Sequence, residues 1–369
     1  MTAAVPFDAR TTEILHQYGF DEGVFAELRA RLRRGEFSAG ANAVRGRIEP
    51  DAPESTCSLV GLSAEERNRL IGLGEEALRQ GRVGVVILAG GMATRFGGVV
   101  KADVEAFDGR SFLDVKLRDV EQVRKRFGAK VPAFLMTSFA TDAAMRERVL
   151  GRAMVETFPQ FVSVRLTPSA EIFFDSAGCA SLYAPGHGDL SFALRRSGIL
   201  ERFRGVGGEV LLMSNVDNIA ATLDPAIVGA HLDRKAAVTV EVVDKLPGDR
   251  GGAPARVDGK AQIVEAFRFP VSFDQDKIAV FNTNTLVFDA KAIDRDFPMT
   301  WFAVRKSVDS KPTVQFERLV GELTAFLPTT FLHVERTGSG SRFLPVKDPE
   351  ELAARRDEIR AVARDRNLL

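Results

Sequence analysis

The stretch VVILAGGMATRFGGVVKA, residues 85–102, decides how this chain folds. A β-branched run ends abruptly in Gly90 and Gly91, passes Arg95, Gly97 and Gly98, and closes on Lys101. The full apolar run VGVVILA (83–89) has the composition of a strand buried on both faces, as in a parallel sheet covered by helices. In such sheets a ligand binds beyond the carboxyl ends of the strands. Glycines at that point bring the backbone close to the ligand and turn its N–H groups toward an anion. Arg95 and Lys101 add two full positive charges. The stretch reads as a phosphate cradle; the competing reading is a glycine-rich turn with two solvated cations.

Working outward, strand and helix alternate. SFLDVKLRDVEQVRKRFG (111–128) is an amphipathic helix, VPAFLMTS (131–138) a strand and TDAAMRERVLG (141–151) a helix. GEVLLMSNV (208–216), AAVTVEVV (236–243) and IAVFNTNTLVFD (278–289) supply further strands. This rhythm predicts an α/β fold around a mostly parallel, doubly wound sheet. Ahead of it, residues 11–34 have the apolar spacing of one or two helices, and 38–61 read as an extended connection. Residues 63–81 form a helix with a Ser N-cap and a terminal glycine. The last 22 residues form a charged helix.

Composition narrows the function. The chain has 369 residues, with Lys+Arg and Asp+Glu both at 50, so the net charge is zero. A nonspecific nucleic-acid binder carries a basic excess, and that class is disfavoured. No apolar run approaches the roughly 18 residues of a membrane span, and residues 1–15 lack a secretory signal pattern. Cys57 and Cys179 form no CxxC pair, which suits a reducing cytoplasm.

Two further constellations carry polar chemistry. In LLMSNVDNIAATLDP (211–225) an apolar strand ends in Asn215, Asp217 and Asn218. A carboxylate at a strand end is well placed to hold Mg²⁺, which also grips phosphate oxygens; a turn capping the next helix is the other reading. In APGHGDL (184–190), Gly186 and Gly188 flank His187, so close backbone approach is joined to one imidazole; a structural histidine remains open. For the glycine loop itself, the P-loop form GxxxxGK[ST] fails because Val99 and Val100 follow Gly97-Gly98. The fingerprint GxGxxG fails on spacing. The form L-x-x-G-G-x-x-T-R-x-G followed by lysine fits LAGGMATRFGGVVK, with one departure near its end.

On these motifs the chain resembles the UDP-sugar pyrophosphorylase family, especially the eukaryotic-type UTP–glucose-1-phosphate uridylyltransferases. Further landmarks follow in order: FLDVKL (112–117), GKAQIVEAFRFP (259–270), FNTNTLVF (281–288), TVQFERLVGE (313–322) and SRFLPVKDPEEL (341–352). The resemblance implies a Rossmann-like (glycosyltransferase-A-like) nucleotidyltransferase fold. It divides the chain into an N-terminal helical and extended segment, 1–80, and a catalytic domain, 81–369, ending in the C-terminal helix. It implies a Mg²⁺-dependent transfer of a nucleoside monophosphate from an NTP, UTP first, to a sugar 1-phosphate, with release of pyrophosphate. Arg95, Lys101 and Lys347 would then be catalytic, and Leu88, Ala89, Gly90, Gly91, Gly186, Gly188 and Asp217 would bind nucleotide. Asp217 would also hold the metal. His187, Asn215, Glu265 and Asn282 would read the sugar. The partners are small molecules, with neither nucleic acid nor membrane.

Four departures qualify the match. Val100 replaces the proline before the loop lysine, which would loosen the approach of that lysine. Thr285 closes NTNT where the family has NTNN, which would alter sugar contacts. The family's uracil-reading Phe-Asn-Gln-Ser aligns with LTPS (166–169), placing Pro168 at the glutamine. A proline there motivates a second reading, a GTP-using guanylyltransferase acting on a sugar or cyclitol 1-phosphate. A third reading is a non-catalytic sugar-nucleotide-binding regulator. The family's C-terminal β-helix is expected to have no counterpart here, and the expected assembly is a monomer or dimer.

Overall fold

The computed structural model describes residues 7–38, 40–50, 56–249 and 251–368. Helices α1 (Ala9–Gln17) and α2 (Glu22–Arg33) open the chain, followed by strand β1 (Thr56–Ser58) and helix α3 (Ala64–Arg79). The central unit then runs β2 (Val83–Leu88), α4 (Phe112–Phe127), β3 (Ala133–Thr137), α5 (Asp142–Arg148) and β4 (Val155–Pro159). After α6 (Leu190–Arg196) and α7 (Ile199–Gly205) come β5 (Val210–Asn215), α8 (Pro225–Arg234) and β6 (Val238–Asp244). The sheet is completed by β7 (Val280–Asp289) and β8 (Thr329–His333), and α9 (Pro349–Asp365) ends the fold.

These eight strands form one sheet in the order β1-β8-β6-β7-β5-β2-β3-β4. Every pairing is parallel except those of β7, which runs against both β5 and β6. The chain leaves β2 toward β3 and β4, then returns to β5 on the other side of β2. That reversal is a topological switch point, where α/β sheets bind ligands. It lies where Leu88 and Asn215 stand side by side in register.

Alternation explains why both faces are covered. Val85, Ile87, Leu135 and Leu212 face a core shared with α3, α4, α8 and α9, through residues such as Leu78, Leu117, Ile227 and Ile359. Val86, Phe134, Met136, Leu211 and Met213 face a second core with α6 and α7, through Leu194 and Phe203. A strand side chain points to the opposite face from its neighbour, so near-continuous apolar runs demand helices on both sides. Local signals set the helix ends. Ser111 and Asp114 form a capping box at α4, and Gly128, at φ 62°, closes that helix in the left-handed region.

The helix expected at the C terminus is α9. Its Leu352, Ile359, Val362 and Ala363 are buried in the first core, so one side of it is packed rather than solvated. Strands β1, β4 and β8 were not among the sequence expectations; they are short and their apolar runs are weak. Helices α1 and α2 pack with residues 162–182 and the hairpin Phe302–Val308/Lys311–Glu317 in a separate apolar cluster. Among the described residues no helix is long and apolar enough to cross a membrane.

The tightest helix contact predicts its own test. A Cβ at Gly229 of α8 would lie 1.8 Å from the Leu70 carbonyl oxygen, and one at Gly74 of α3 would lie 1.9 Å from that of Pro225. Gly229→Ala should therefore cost about 1–3 kcal/mol or more, as overpacking forces backbone to move. Gly72, also on α3, has open space at its Cβ. Gly72→Ala should instead gain about 0.5–1 kcal/mol from helix propensity. Urea midpoints of the two variants check this, and equal midpoints would show that α3 and α8 part without cost.

Candidate active site

A cleft of about 360 Å³ opens beyond the carboxyl ends of β2 and β5. The glycine loop forms one wall as a small hairpin: Met92–Ala93 pairs with Val99–Val100, and Gly97 and Gly98 take φ of 83° and 80° at its turn. A side chain would be strained in those conformations, which is why the sequence spends two glycines there. Gly90 is required for a different reason. A Cβ on it would lie 2.3 Å from Nε2 of Gln160. Gly91 faces open space and the cleft. Ser138 fixes the hairpin's base by donating from its hydroxyl to the Gly90 carbonyl at 2.8 Å.

Lys101 closes the hairpin. Its N–H donates to the Gly91 carbonyl at 3.1 Å, and its ammonium forms an ion pair with Asp217. Val100, where the family has proline, pairs with Met92 in this hairpin directly before the lysine. Asp217 is the sole carboxylate among the described residues lining the cleft. No group of three or more His, Cys, Asp or Glu side chains suited to a metal occurs among the described residues.

Of the residues expected from sequence, Leu88, Gly90, Gly91, Lys101, Gly186, His187, Asn215 and Asp217 line this one cleft. Ala89 and Gly188 are buried beneath it. A Cβ on Gly188 would meet the Arg318 backbone at 2.3 Å, so its role is close packing. Arg95 and Lys347 do not reach the cleft wall. Arg95 is exposed at the hairpin tip, 3.8 Å from Asp348, and Lys347 is exposed beside it in sequence. The two cations therefore share a rim rather than a floor.

Glu265 and Asn282 stand one layer back. Both approach Gly252, whose Cβ would lie 3.1 Å from a Glu265 carboxyl oxygen and 3.3 Å from the Asn282 amide nitrogen. Burial raises the Glu265 carboxyl above its ordinary range, with Arg268 opposing. Asn284 links this pair to the cleft. At φ 56° it sits in the left-handed region, its Nδ2 donates to Asn215 Oδ1, and its N–H donates to Asn282 Oδ1, both at 2.9 Å. Thr285 is fully buried and does not line the cleft, so the NTNT departure changes no wall contact directly.

The imidazole of His187 is held in one tautomer. Nδ1 accepts from the Val320 N–H at 3.1 Å, which leaves the ring proton on Nε2. Burial pushes its pKa down to about 4.

Two groups were missed by the sequence reading. The first concerns the segment in which Pro168 was expected to face a base. Pro168 lies exposed in a turn, outside the cleft, while Gln160 lines it. Gln160 follows the end of β4, where its Oε1 accepts from the Gly186 N–H at 3.1 Å. The signal was present in FPQF (158–161), which keeps the spacing of aromatic to glutamine.

The second is a polar frame behind Asp217. Lys116 of α4 is buried; its ammonium donates to Ser214 Oγ at 2.8 Å and the Ala221 carbonyl at 2.6 Å. Burial depresses its pKa to about 7, with Asp119 opposing. Asp119 accepts from the Leu223 N–H at 2.7 Å, and Asn218 spans the Arg342 carbonyl and the Leu344 N–H. The turn that carries Asp217 is therefore bolted to α4 and to the segment leading to Lys347. A lysine in the apolar stripe of an amphipathic helix was the visible hint.

Residues 40–366 match the family model described as UTP–glucose-1-phosphate uridylyltransferase. The UTP–glucose-1-phosphate uridylyltransferase 2 of Dictyostelium discoideum is 31% identical over 294 residues, 73% of this chain and 57% of that protein. The uridylyltransferase of Encephalitozoon cuniculi is 29% identical over 297 residues, 75% of this chain and 58% of that protein. The chain thus spans somewhat under three fifths of the length of these relatives. The fold is shared with a Trypanosoma brucei UDP-glucose phosphorylase (TM-score 0.76, 24% identity, covering 93% of this chain and 77% of that one). It is shared too with the UDP-N-acetylglucosamine pyrophosphorylase of the same organism (TM-score 0.74, 19% identity, 96% and 85% covered). With the glycine hairpin, the strand-end aspartate and the histidine loop on one cleft, the chain belongs to the UTP–glucose-1-phosphate uridylyltransferase family.

Proposed function

We propose that this chain transfers a uridylyl group from UTP to a sugar 1-phosphate, forming a UDP-sugar and releasing pyrophosphate. The observation that carries this reading is the meeting of Gly90, Gly91, Lys101, Gln160 and Asp217 in one cleft at the switch point. A phosphate oxygen of the sugar 1-phosphate attacks the α-phosphorus of UTP. A new P–O bond forms, and the α–β bridging bond breaks with its electron pair leaving on pyrophosphate. Such chemistry asks the protein for alignment and charge rather than a nucleophile.

The residues have the means for it. Backbone at Gly90 and Gly91 lies along the nucleotide. The ammonium of Lys101, paired with Asp217, is preset to face the triphosphate. Arg95 and Lys347 on the rim neutralise the departing pyrophosphate. A divalent cation, Mg²⁺, would be held by Asp217 together with substrate oxygens, since Mg²⁺ characteristically takes one or two carboxylates plus phosphates. When bound, it would neutralise phosphate charge. The fit is that of a single carboxylate at a strand end, lining the cleft, with one oxygen engaged by a displaceable lysine. His187 offers Nε2–H as a neutral donor, and Asn215, backed by Asn284, Asn282 and Glu265, reads sugar hydroxyls. A cytoplasmic setting suits the free thiols of Cys57 and Cys179.

Gln160 on the cleft removes the motive for the GTP reading, which was a proline at the base. With Oε1 oriented by the Gly186 N–H, the amide offers an acceptor beside a donor, which complements uracil N3–H and its carbonyl and mismatches cytosine. Guanine presents a similar edge, N1–H beside a carbonyl, on a larger ring, so the amide alone does not separate the two bases and the NTP comparison below does.

Pyrophosphate release screened over the four NTPs and a panel of sugar and cyclitol 1-phosphates tests the whole reading. Activity confined to GTP, or no activity at all, would overturn it. Lys101→Ala and Asp217→Ala should each lower turnover on the order of 100- to 1000-fold, the usual loss for one preorganised charge at a reacting centre. Near-normal rates in both would remove the cradle from the mechanism.

Gln160→Ala should lower kcat/KM for UTP about 10- to 100-fold and erase most of the preference over CTP. An unchanged UTP:CTP ratio would show that another group reads the base.

The histidine gives a pH prediction. Imidazole NMR should find Nε2 protonated, Nδ1 bare, and a midpoint near 4 for His187. Because the folded pKa lies below the ordinary 6.5, the unfolded chain takes up the proton first. Acidification from 6.5 toward 4 then removes about 1 kcal/mol of stability per pH unit through this residue. The stability difference between the wild type and His187→Gln should shrink over that range, and a constant difference would contradict the buried neutral ring.

A further inference from the structure

Three chain segments that are remote in sequence meet behind the cleft, and one carboxylate joins them. Asp189 is fully buried in the loop that carries His187. One of its oxygens accepts from the Phe161 N–H at 3.0 Å, directly after the base-facing Gln160. The other accepts from the Arg318 guanidinium, with Nε at 2.9 Å and Nη2 as a second donor. Arg318 also zips to the same loop through its backbone. Its N–H donates to the Pro185 carbonyl at 2.8 Å, and its carbonyl accepts from the Gly188 N–H at 3.0 Å. Two residues on, the Val320 N–H holds His187. The cation itself is stacked over two rings, with its central carbon 4.3 Å from the centroid of Trp301 and 4.5 Å from that of Phe192.

Such an arrangement is more than cohesion requires. A buried ion pair seldom beats an apolar packing of equal volume, because desolvating two charges is costly. What it supplies here is geometry: a planar fork gripping a carboxylate whose remaining oxygen fixes a backbone N–H. We propose that Asp189 and Arg318 are positioning residues that hold the base-reading amide of Gln160 and the imidazole of His187 in one rigid frame. Neither touches substrate; they set the distance between the two groups that do. The proposal rests on the uridylyl-transfer reading above. The cage also makes Trp301, the single tryptophan of the chain, a reporter of the frame.

The test uses the full chain in three variants: Asp189→Asn, Arg318→Lys, and the neutral pair Asp189→Asn with Arg318→Met. Fold is checked by thermal unfolding. Kinetics are measured with UTP and CTP, and UTP binding by Trp301 fluorescence. Each variant should raise KM for UTP and shrink the UTP:CTP ratio of kcat/KM about 10- to 100-fold, the scale of a misplacement near 1 Å. The neutral pair should lose no more than the worse of the two single changes, because its members act as one unit. Arg318→Lys keeps the charge and gives up the fork, so it stays folded and carries the test if the others do not. Folded variants with wild-type KM and an unchanged UTP:CTP ratio would overturn the proposal while leaving the function standing. A wild-type chain that neither binds nor turns over UTP would overturn both.

Discussion

The parallel register of Val83–Leu88 against Val210–Asn215 is the constraint on which the rest depends. It sets the glycine hairpin and the Asp217 turn beside one another at the point where the sheet reverses direction. A slip of one residue would turn Val85 and Ile87 from one core to the other and rotate the strand ends with them. The two cores, tightly filled on both faces, make such a slip prohibitive. The cleft inherits its geometry from hydrophobic packing several residues away.

Against that apolar background the buried charges stand out. Glu241 and Arg342 pair through two bonds of 2.6 and 2.7 Å, Lys116 sits under Ser214, and Asp189 is gripped by Arg318. Each of the three connects elements distant in the chain, and those of Lys116 and Asp189 hold segments that line the cleft. A loop has few apolar contacts of its own, so polar anchors with fixed geometry are the means of holding it still. The frame behind Asp217 also ties its turn to the segment that leads to Lys347, so the two rest on one support. Arg95 and Lys347 remain outside this frame on an exposed rim, with Asp348 beside them.

The sequence alone determined the α/β class, the mostly parallel sheet and much of the cleft. Leu88, Gly90, Gly91, Lys101, Gly186, His187, Asn215 and Asp217 were legible because each belongs to a short motif. Residue spacing within a few positions dictates backbone conformation, so strand, turn and charge can be read together. The tertiary structure decided everything that depends on partners far apart in the chain. Gln160, not Pro168, faces the cleft because the parallel pairing of β4 with β3 carries it there. Asn284 reaches Asn215 only through the antiparallel strand β7. Lys116 stands out in the apolar stripe of α4, but its partners, Ser214 and the Ala221 carbonyl, are supplied by segments about a hundred positions away. Asp189 and Arg318 are 129 positions apart, and nothing in either segment names the other. Which side chains meet across such distances is fixed by sheet order and register, which arise from packing summed over the whole domain.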